Sequence, residues 1–266
     1  MTALLRTEGL AKAYGGVQAL NGATIRVEEG TVAGLIGPNG SGKTTLFNVI
    51  TGYQRPDAGE VWFGDRKITS LPPDKVFAAG IGRTFQLTRI FPRLTVMENM
   101  LVATQVREKP KNLLARFGKG AFAHQRRHAM ELLTFAGIDQ YADLLAGSLS
   151  YGQRKLLELA CVLVADPAVI LLDEPAGGVN PTLVNHIADR IRDLNSRGRT
   201  FVVVEHNLEF VMGLCSTITV LESGAAVVSG PPDLVRTDKR VLDAYLGADI
   251  EEEPDDHPSG KGGRAW

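Results

Sequence analysis

Thr31-Val32-Ala33-Gly34-Leu35-Ile36-Gly37-Pro38-Asn39-Gly40-Ser41-Gly42-Lys43-Thr44-Thr45 runs from an apolar strand into a glycine-rich loop. Leu46, Phe47, Val49 and Ile50 then recur at helical spacing, and Gly52 is a plausible helix stop. Gly37 to Thr44 fits the phosphate-binding loop pattern in full. Phosphate oxygens must be met by backbone N–H groups, so side chains have to stay clear. Gly37, Gly40 and Gly42 permit that approach, and the following helix aims its positive end at the anion. Gly37, Pro38, Asn39, Gly40, Ser41, Gly42, Lys43, Thr44 and Thr45 are therefore the candidate nucleotide-binding set. Lys43 would reach the outer phosphates, and the Thr44 hydroxyl would ligate Mg²⁺.

Outward from this loop, Val169–Leu172 and Phe201–Val204 are also apolar throughout, as in a parallel sheet covered on both faces. The first ends in Asp173-Glu174-Pro175. An acid at the carboxyl end of a parallel strand sits where such sheets bind ligands, so Asp173 would hold Mg²⁺ through water. Glu174 could accept a proton from water attacking the terminal phosphate; a solvated turn is the plainer reading of the pair taken alone. Before the loop, Leu4–Leu10 and Ala23–Val27 alternate as short strands around Gly15-Gly16, and Glu60–Phe63 reads as another. From about Leu94 to Ala165 the pattern turns helical, interrupted near Pro110 and Gly118, and a helix follows at about Pro181–Ser196. The expected fold class is α/β: a parallel core, a small antiparallel sheet at its edge and a helical insertion.

The 266 residues suffice for one large α/β domain, and 44% hydrophobic with 22% charged residues excludes a disordered or coiled-coil chain. No apolar run approaches the roughly 18–20 residues of a spanning helix, and nothing near the start resembles a secretory leader. Cys161 and Cys215 sit in apolar segments and read as buried thiols of a cytoplasmic protein. A net charge of −1 argues against a general nucleic-acid binder. Arg107–His128 carries seven bases against Glu108, most simply a solvated face, or else a surface for anionic lipid or a membrane partner with Phe117 and Phe122. Residues 251–266, acidic and rich in Pro and Gly, are expected to form a loose tail after a cassette of 1–250.

Leu149-Ser150-Tyr151-Gly152-Gln153 decides the class. Ser150 and Gln153 stand three apart ahead of Leu156, Leu157 and Leu159, a capping box whose helix start is also an anion site. Together with the phosphate loop and the paired acids, this resembles the signature sequence of the ATP-binding cassette (ABC) family, and the resemblance spans roughly residues 3–247. It implies a P-loop NTPase (RecA-like) core with an N-terminal antiparallel β subdomain and a helical signature subdomain at about 88–165. By the same resemblance, Tyr14 matches the aromatic that stacks on adenine. Gln86 matches the glutamine that touches Mg²⁺ and the attacking water, and His206 the switch histidine on the γ-phosphate. Lys43, Gln86, Glu174 and His206 would carry catalysis, with Thr44, Gln86 and Asp173 around the metal. Ser150, Tyr151, Gly152 and Gln153 would close over ATP bound to a partner cassette, in a homodimer or with a sibling. The family usually has Ser-Ala-Leu-Asp after the catalytic acid; Ala176-Gly177-Gly178-Val179-Asn180 departs from it and lacks the carboxylate.

A single phosphate loop and the lack of a coiled-coil insertion leave a transporter ATPase whose membrane subunits are separate chains. Ile81–Gln86, Ile90–Asn99, Tyr151 within the signature, Gly177–Pro181 and Val241–Gly247 look like the ATPase of branched-chain amino acid uptake systems. That resemblance implies ATP and Mg²⁺ as ligands, two permease chains, indirectly a solute-binding protein, and a peripheral place on the cytoplasmic face of the membrane. Residues 87–91 are the expected permease contact. Urea and amide uptake ATPases are near neighbours, the lipopolysaccharide-exporting ATPase is a more distant one, and a soluble ATP-dependent clamp is the competing class.

Overall fold

The computed structural model describes residues 3–85, 88–107 and 119–241. The chain opens with β1 (Ala3–Tyr14), which turns at Gly15-Gly16 into antiparallel β2 (Val17–Ala23). The expected strand at 23–27 is split: β2 ends at Ala23, and β3 (Arg26–Glu28) pairs separately with the start of β1. The side chain of Thr7 is the reason. Its hydroxyl donates to the Ala23 carbonyl at 3.1 Å and accepts the Ile25 N–H at 3.0 Å, replacing ladder bonds at the junction. Across β1 lie β5 (Ala58–Phe63) and then β6 (Arg66–Lys67), completing the antiparallel sheet.

The second sheet carries the rest. β4 (Val32–Ile36) leads through the glycine loop to α1 (Lys43–Ile50), and α2 (Pro73–Ala79) precedes β7 (Ile81–Arg83). The expected helical stretch contains α3 (Val96–Arg107), α4 (Lys119–Ala136) and α5 (Tyr151–Leu163), with 3₁₀ turns at Asp139–Tyr141 and Ala146–Ser148. β8 (Val169–Asp173), α6 (Pro181–Ser196), β9 (Thr200–Val204) and α7 (Leu208–Leu214) follow. The hairpin β10 (Thr217–Glu222) and β11 (Ala225–Gly230), then α8 (Pro232–Thr237), close the described chain. Strand order is β11-β10-β4-β9-β8-β7, parallel from β10 to β7 with β11 antiparallel at the edge.

The strands read apolar throughout because both faces of this sheet are buried. Along β4, β8 and β9, Val32, Ile36, Ile170, Leu172, Phe201 and Val203 pack into the core shared with the helices. Their alternating neighbours Ala33, Leu35, Val169, Leu171, Val202 and Val204 pack into the core shared with α1 and the antiparallel sheet. Gly34 has a packing reason of its own. A Cβ there would come within 2.8 Å of the Val211 methyl on α7, so the missing side chain lets that helix lie against the central strand. Cys161 and Cys215 are free thiols, as expected, and burial pushes both up to about 12. Among the described residues, no helix is long and apolar enough to cross a membrane.

Candidate functional site

The loop after β4 must turn sharply at the carboxyl end of the sheet, and two glycines make that possible. Gly37 and Gly42 have φ of 151° and 101°. A Cβ at Gly37 would fall 2.1 Å from the Leu221 carbonyl, and one at Gly42 would fall 2.4 Å from the Ala19 carbonyl. α1 then starts at Gly42 with no side chain capping its first turn, the arrangement an anion completes. Lys43 is buried within the loop. Its ammonium donates to the carbonyls of Gly37 (2.7 Å) and Pro38 (2.9 Å), with the Ser41 hydroxyl at 3.5 Å. Burial lowers the Lys43 pKa, opposed by the nearby charges of Glu174 and Asp173.

An open cleft faces this loop, lined by Tyr14, Ala19, Asn39, Gly40, Gly42, Lys43, Thr44, Thr45, Glu174 and His206. Residues far apart in sequence thus share one wall: Tyr14 at the end of β1, the phosphate loop, and the ends of β8 and β9. Tyr14 is exposed, with the Lys12 ammonium 5.6 Å from its ring centroid. Glu174 Oε1 and His206 Nε2 lie 2.6 Å apart. Glu174 takes a φ of 51°, rare for a side-chain-bearing residue, and its N–H donates to the Val204 carbonyl at 2.9 Å. Asp173, buried at the end of β8, accepts a bond of 2.8 Å from Arg83 Nη2. Gln86 and Leu87 lie outside the described residues.

Sequence reading missed Arg83, Lys155, Glu158 and Glu205 as members of the site. Arg83 ends β7, and its other amino group reaches Asn48 Oδ1 (2.7 Å) in α1 and Thr51 Oγ1 (3.2 Å) at that helix's C-cap, so one guanidinium joins the acid to the helix behind the phosphate loop. Lys155 on α5 is buried and donates to the Glu174 carbonyl. Glu158, one turn on, accepts the backbone N–H groups of Phe85 (3.1 Å) and Arg89 (3.3 Å), which flank Gln86. The only signal for Arg83 was its place at a buried strand's end, and for Lys155 and Glu158 a charge within an otherwise apolar helix face; neither signal names a partner.

At the head of α5 the expected capping box is present. Ser150 Oγ accepts the Gln153 N–H at 3.3 Å, and Gln153 Oε1 accepts the Ser150 N–H at 2.8 Å. The Tyr151 ring lies beside Gly178, where a Cβ would stand 3.2 Å from Cε1. A Cβ on Gly152 would overlap Leu183 on α6, at 1.9 Å. None of Ser150, Tyr151, Gly152 or Gln153 lines the cleft. Asn180, at the family's Asp position, caps α6 by accepting the Leu183 N–H at 2.9 Å. The amide thus performs the local task a carboxylate would perform there.

An uncapped glycine loop, two acids and a histidine gathered at the ends of parallel strands define a P-loop NTPase. The chain belongs to the ABC transporter family, whose family model matches residues 20–177. It is 38% identical to the high-affinity branched-chain amino acid transport ATP-binding protein BraF of Pseudomonas aeruginosa, across 92% of this chain and 98% of that one. Among solved structures it is similar to an ATP-binding cassette of an ABC transporter in its ADP conformation. The identity is 34% and the TM-score 0.80, with 93% and 100% of the two chains covered. A dimeric cassette in a post-hydrolysis state bound to ADP and Pi matches at 26% identity and a TM-score of 0.76, covering 86% and 98%. This chain is accordingly an ATP-binding cassette with the fold expected from its sequence, an ATPase of a kind that forms dimers.

Proposed function

We propose that this chain is the ATP-hydrolysing subunit of an importer of branched-chain amino acids, held at the cytoplasmic face of the membrane by partner permeases. Residues 1–250 would form the cassette, with 88–165 as its helical subdomain and a solute-binding protein delivering cargo outside. The observation that carries the chemistry is the 2.6 Å pairing of Glu174 with His206 in the cleft that the phosphate loop lines. The uptake assignment is supported by BraF, matched over nearly its whole length.

In this reading the glycine loop and Lys43 hold the β- and γ-phosphates, and Tyr14 stacks on the base. Glu174 accepts the proton of the water that attacks the γ-phosphorus, while ADP leaves and inorganic phosphate forms. His206, bonded to the same carboxylate, orients it and the γ-phosphate. The donor set suits Mg²⁺. Among the described residues no group of three or more His, Cys, Asp or Glu could cage a metal ion, whereas Thr44 and Asp173 offer hard oxygens to an ion that keeps water and phosphate ligands. Thr44 and Asp173, with Gln86, would hold it, and its chemistry there is neutralisation of phosphate charge.

Ser150, Tyr151, Gly152 and Gln153 would close on nucleotide held by a second cassette, either another copy or a sibling. The permease contact would lie beside the loop after β7. There Arg89 stacks 3.8 Å over Phe85 and 5.5 Å from exposed Tyr53, and Phe91 is exposed as well. The test is reconstitution with the permeases. Hydrolysis stimulated by a binding protein loaded with leucine, isoleucine or valine is the expected result; stimulation by urea-loaded protein alone would move the chain to the amide branch. A chain that stays soluble when the permeases are co-expressed would be a clamp.

A further inference from the structure

Glu174, at a φ of 51°, occupies a left-handed backbone conformation that is strained for a residue with a side chain, so its surroundings must over-determine it. Val204 accounts for one peptide group, the Glu174 N–H. The next two are held by buried charges that no proposed chemical step uses. Lys155, from the signature helix α5, donates to the Glu174 carbonyl. Glu205, 2% exposed at the end of β9, accepts the Ala176 N–H at 2.5 Å with Oε1. With its other oxygen Glu205 accepts the His206 N–H at 3.2 Å, and it also takes the Asn207 N–H. One carboxylate therefore bridges the segment after the catalytic acid and the segment carrying the histidine.

We infer that Glu205 and Lys155 are positioning residues that hold the Glu174 and His206 backbones in register for hydrolysis. The inference rests on the proposed roles of Glu174 and His206. Burial pushes the Glu205 carboxyl up and the Lys155 ammonium down, and each is an opposing charge for the other. Both oxygens of Glu205 are acceptors, which an amide cannot reproduce. Glu205→Gln offers one oxygen only, and its NH₂ must face either the Ala176 N–H or the N–H groups of His206 and Asn207. Because Lys155 sits on the helix that Ser150 caps, the same bond also ties the signature sequence to the catalytic acid of its own subunit.

The experiment measures steady-state ATP hydrolysis and nucleotide affinity of the full chain with its partner subunits, for Glu205→Gln, Glu174→Gln and the double variant. Glu205→Gln should lower kcat about 10- to 100-fold with little change in KM or nucleotide affinity, the scale of a small misplacement of a reacting group. In the Glu174→Gln background it should cost almost nothing more, since it acts through that carboxylate. A purely structural role would instead multiply the two losses and lower affinity as well, overturning the inference. So would wild-type turnover in Glu205→Gln beside a crippled Glu174→Gln. Unchanged turnover in Glu174→Gln would sink the acid assignment, and this inference with it. If Glu205→Gln fails to fold, Lys155→Met replaces it. Loss of kcat restored in part by Lys155→Arg supports the inference, and wild-type kcat in Lys155→Met overturns it.

Discussion

Lys43 spends its ammonium on two loop carbonyls and a hydroxyl, so the residue shapes the loop as well as meeting phosphate. Lys43→Ala should abolish detectable binding of a fluorescent ATP analogue; unchanged affinity would contradict the phosphate-loop assignment. Glu174→Gln should bind nucleotide normally and lose turnover by ~10²–10⁴, the scale of a missing general base. Near-normal hydrolysis would remove Glu174 from the role. Glu158 gives a pH test. Burial raises its pKa from 4.5 to about 7, against the N–H groups of Arg89 and Phe85 and the charges of Lys155 and Arg89. Its folded pKa lies above its unfolded one, so the folded chain keeps a proton that the unfolded chain gives up. Stability is therefore lost as pH rises from about 4.5 through about 7, by something of the order of 3 kcal/mol. Glu158→Gln keeps an oxygen for both N–H groups and removes that penalty. Its Tm should exceed wild type at about pH 8 and match it near pH 4; an equal difference at both values would refute the account.

Single elements differed in how well they could be read. β4, α1, β8, α6 and β9 stood out because periodicity, a glycine loop and caps all agreed. The helix expected at about Pro181–Ser196 is α6, which the structure shows capped by Asn180, and Ser150 with Gln153 marked the start of α5. The strand at 23–27 failed because alternation cannot show that a threonine hydroxyl from β1 takes over the ladder at that point. β10 and β11 were passed over, although the β-branched run Thr217–Val220 and the Ser223-Gly224 turn signal a hairpin. In the site, residue types with a sequence motif were legible, and the buried charges behind them were not. Arg83, Lys155 and Glu205 act on partners 90, 19 and 29 positions away, and no local pattern encodes such pairings. The cap at α5 can be tested directly. Ser150→Ala should cost about 1 kcal/mol of stability in the isolated chain, the usual value of an N-cap. A loss of hydrolysis in the assembled complex beyond that small destabilisation would support its role at the partner's nucleotide; hydrolysis unchanged there would deny it.

At the scale of the whole molecule, residues 86–87, 108–118 and 242–266 lie outside the described residues, and with them Gln86, part of the basic stretch Arg107–His128 and the tail expected at 251–266. What the rest of the chain builds is a strand layer with both sides dry. Each of β4, β8 and β9 sends alternate side chains into two different cores, so the helical part and the β part share a party wall. Neither tenant can move out without exposing the other. The chain should therefore melt in one calorimetric peak, and trimming Val61, deep on the β side, should lower the melting of the helices on the opposite side equally. Two separated peaks would show that the wall does not bind them. The phosphate loop, Glu174 and His206 all leave from the ends of these doubly packed strands, so the cleft stands on the stiffest layer of the molecule.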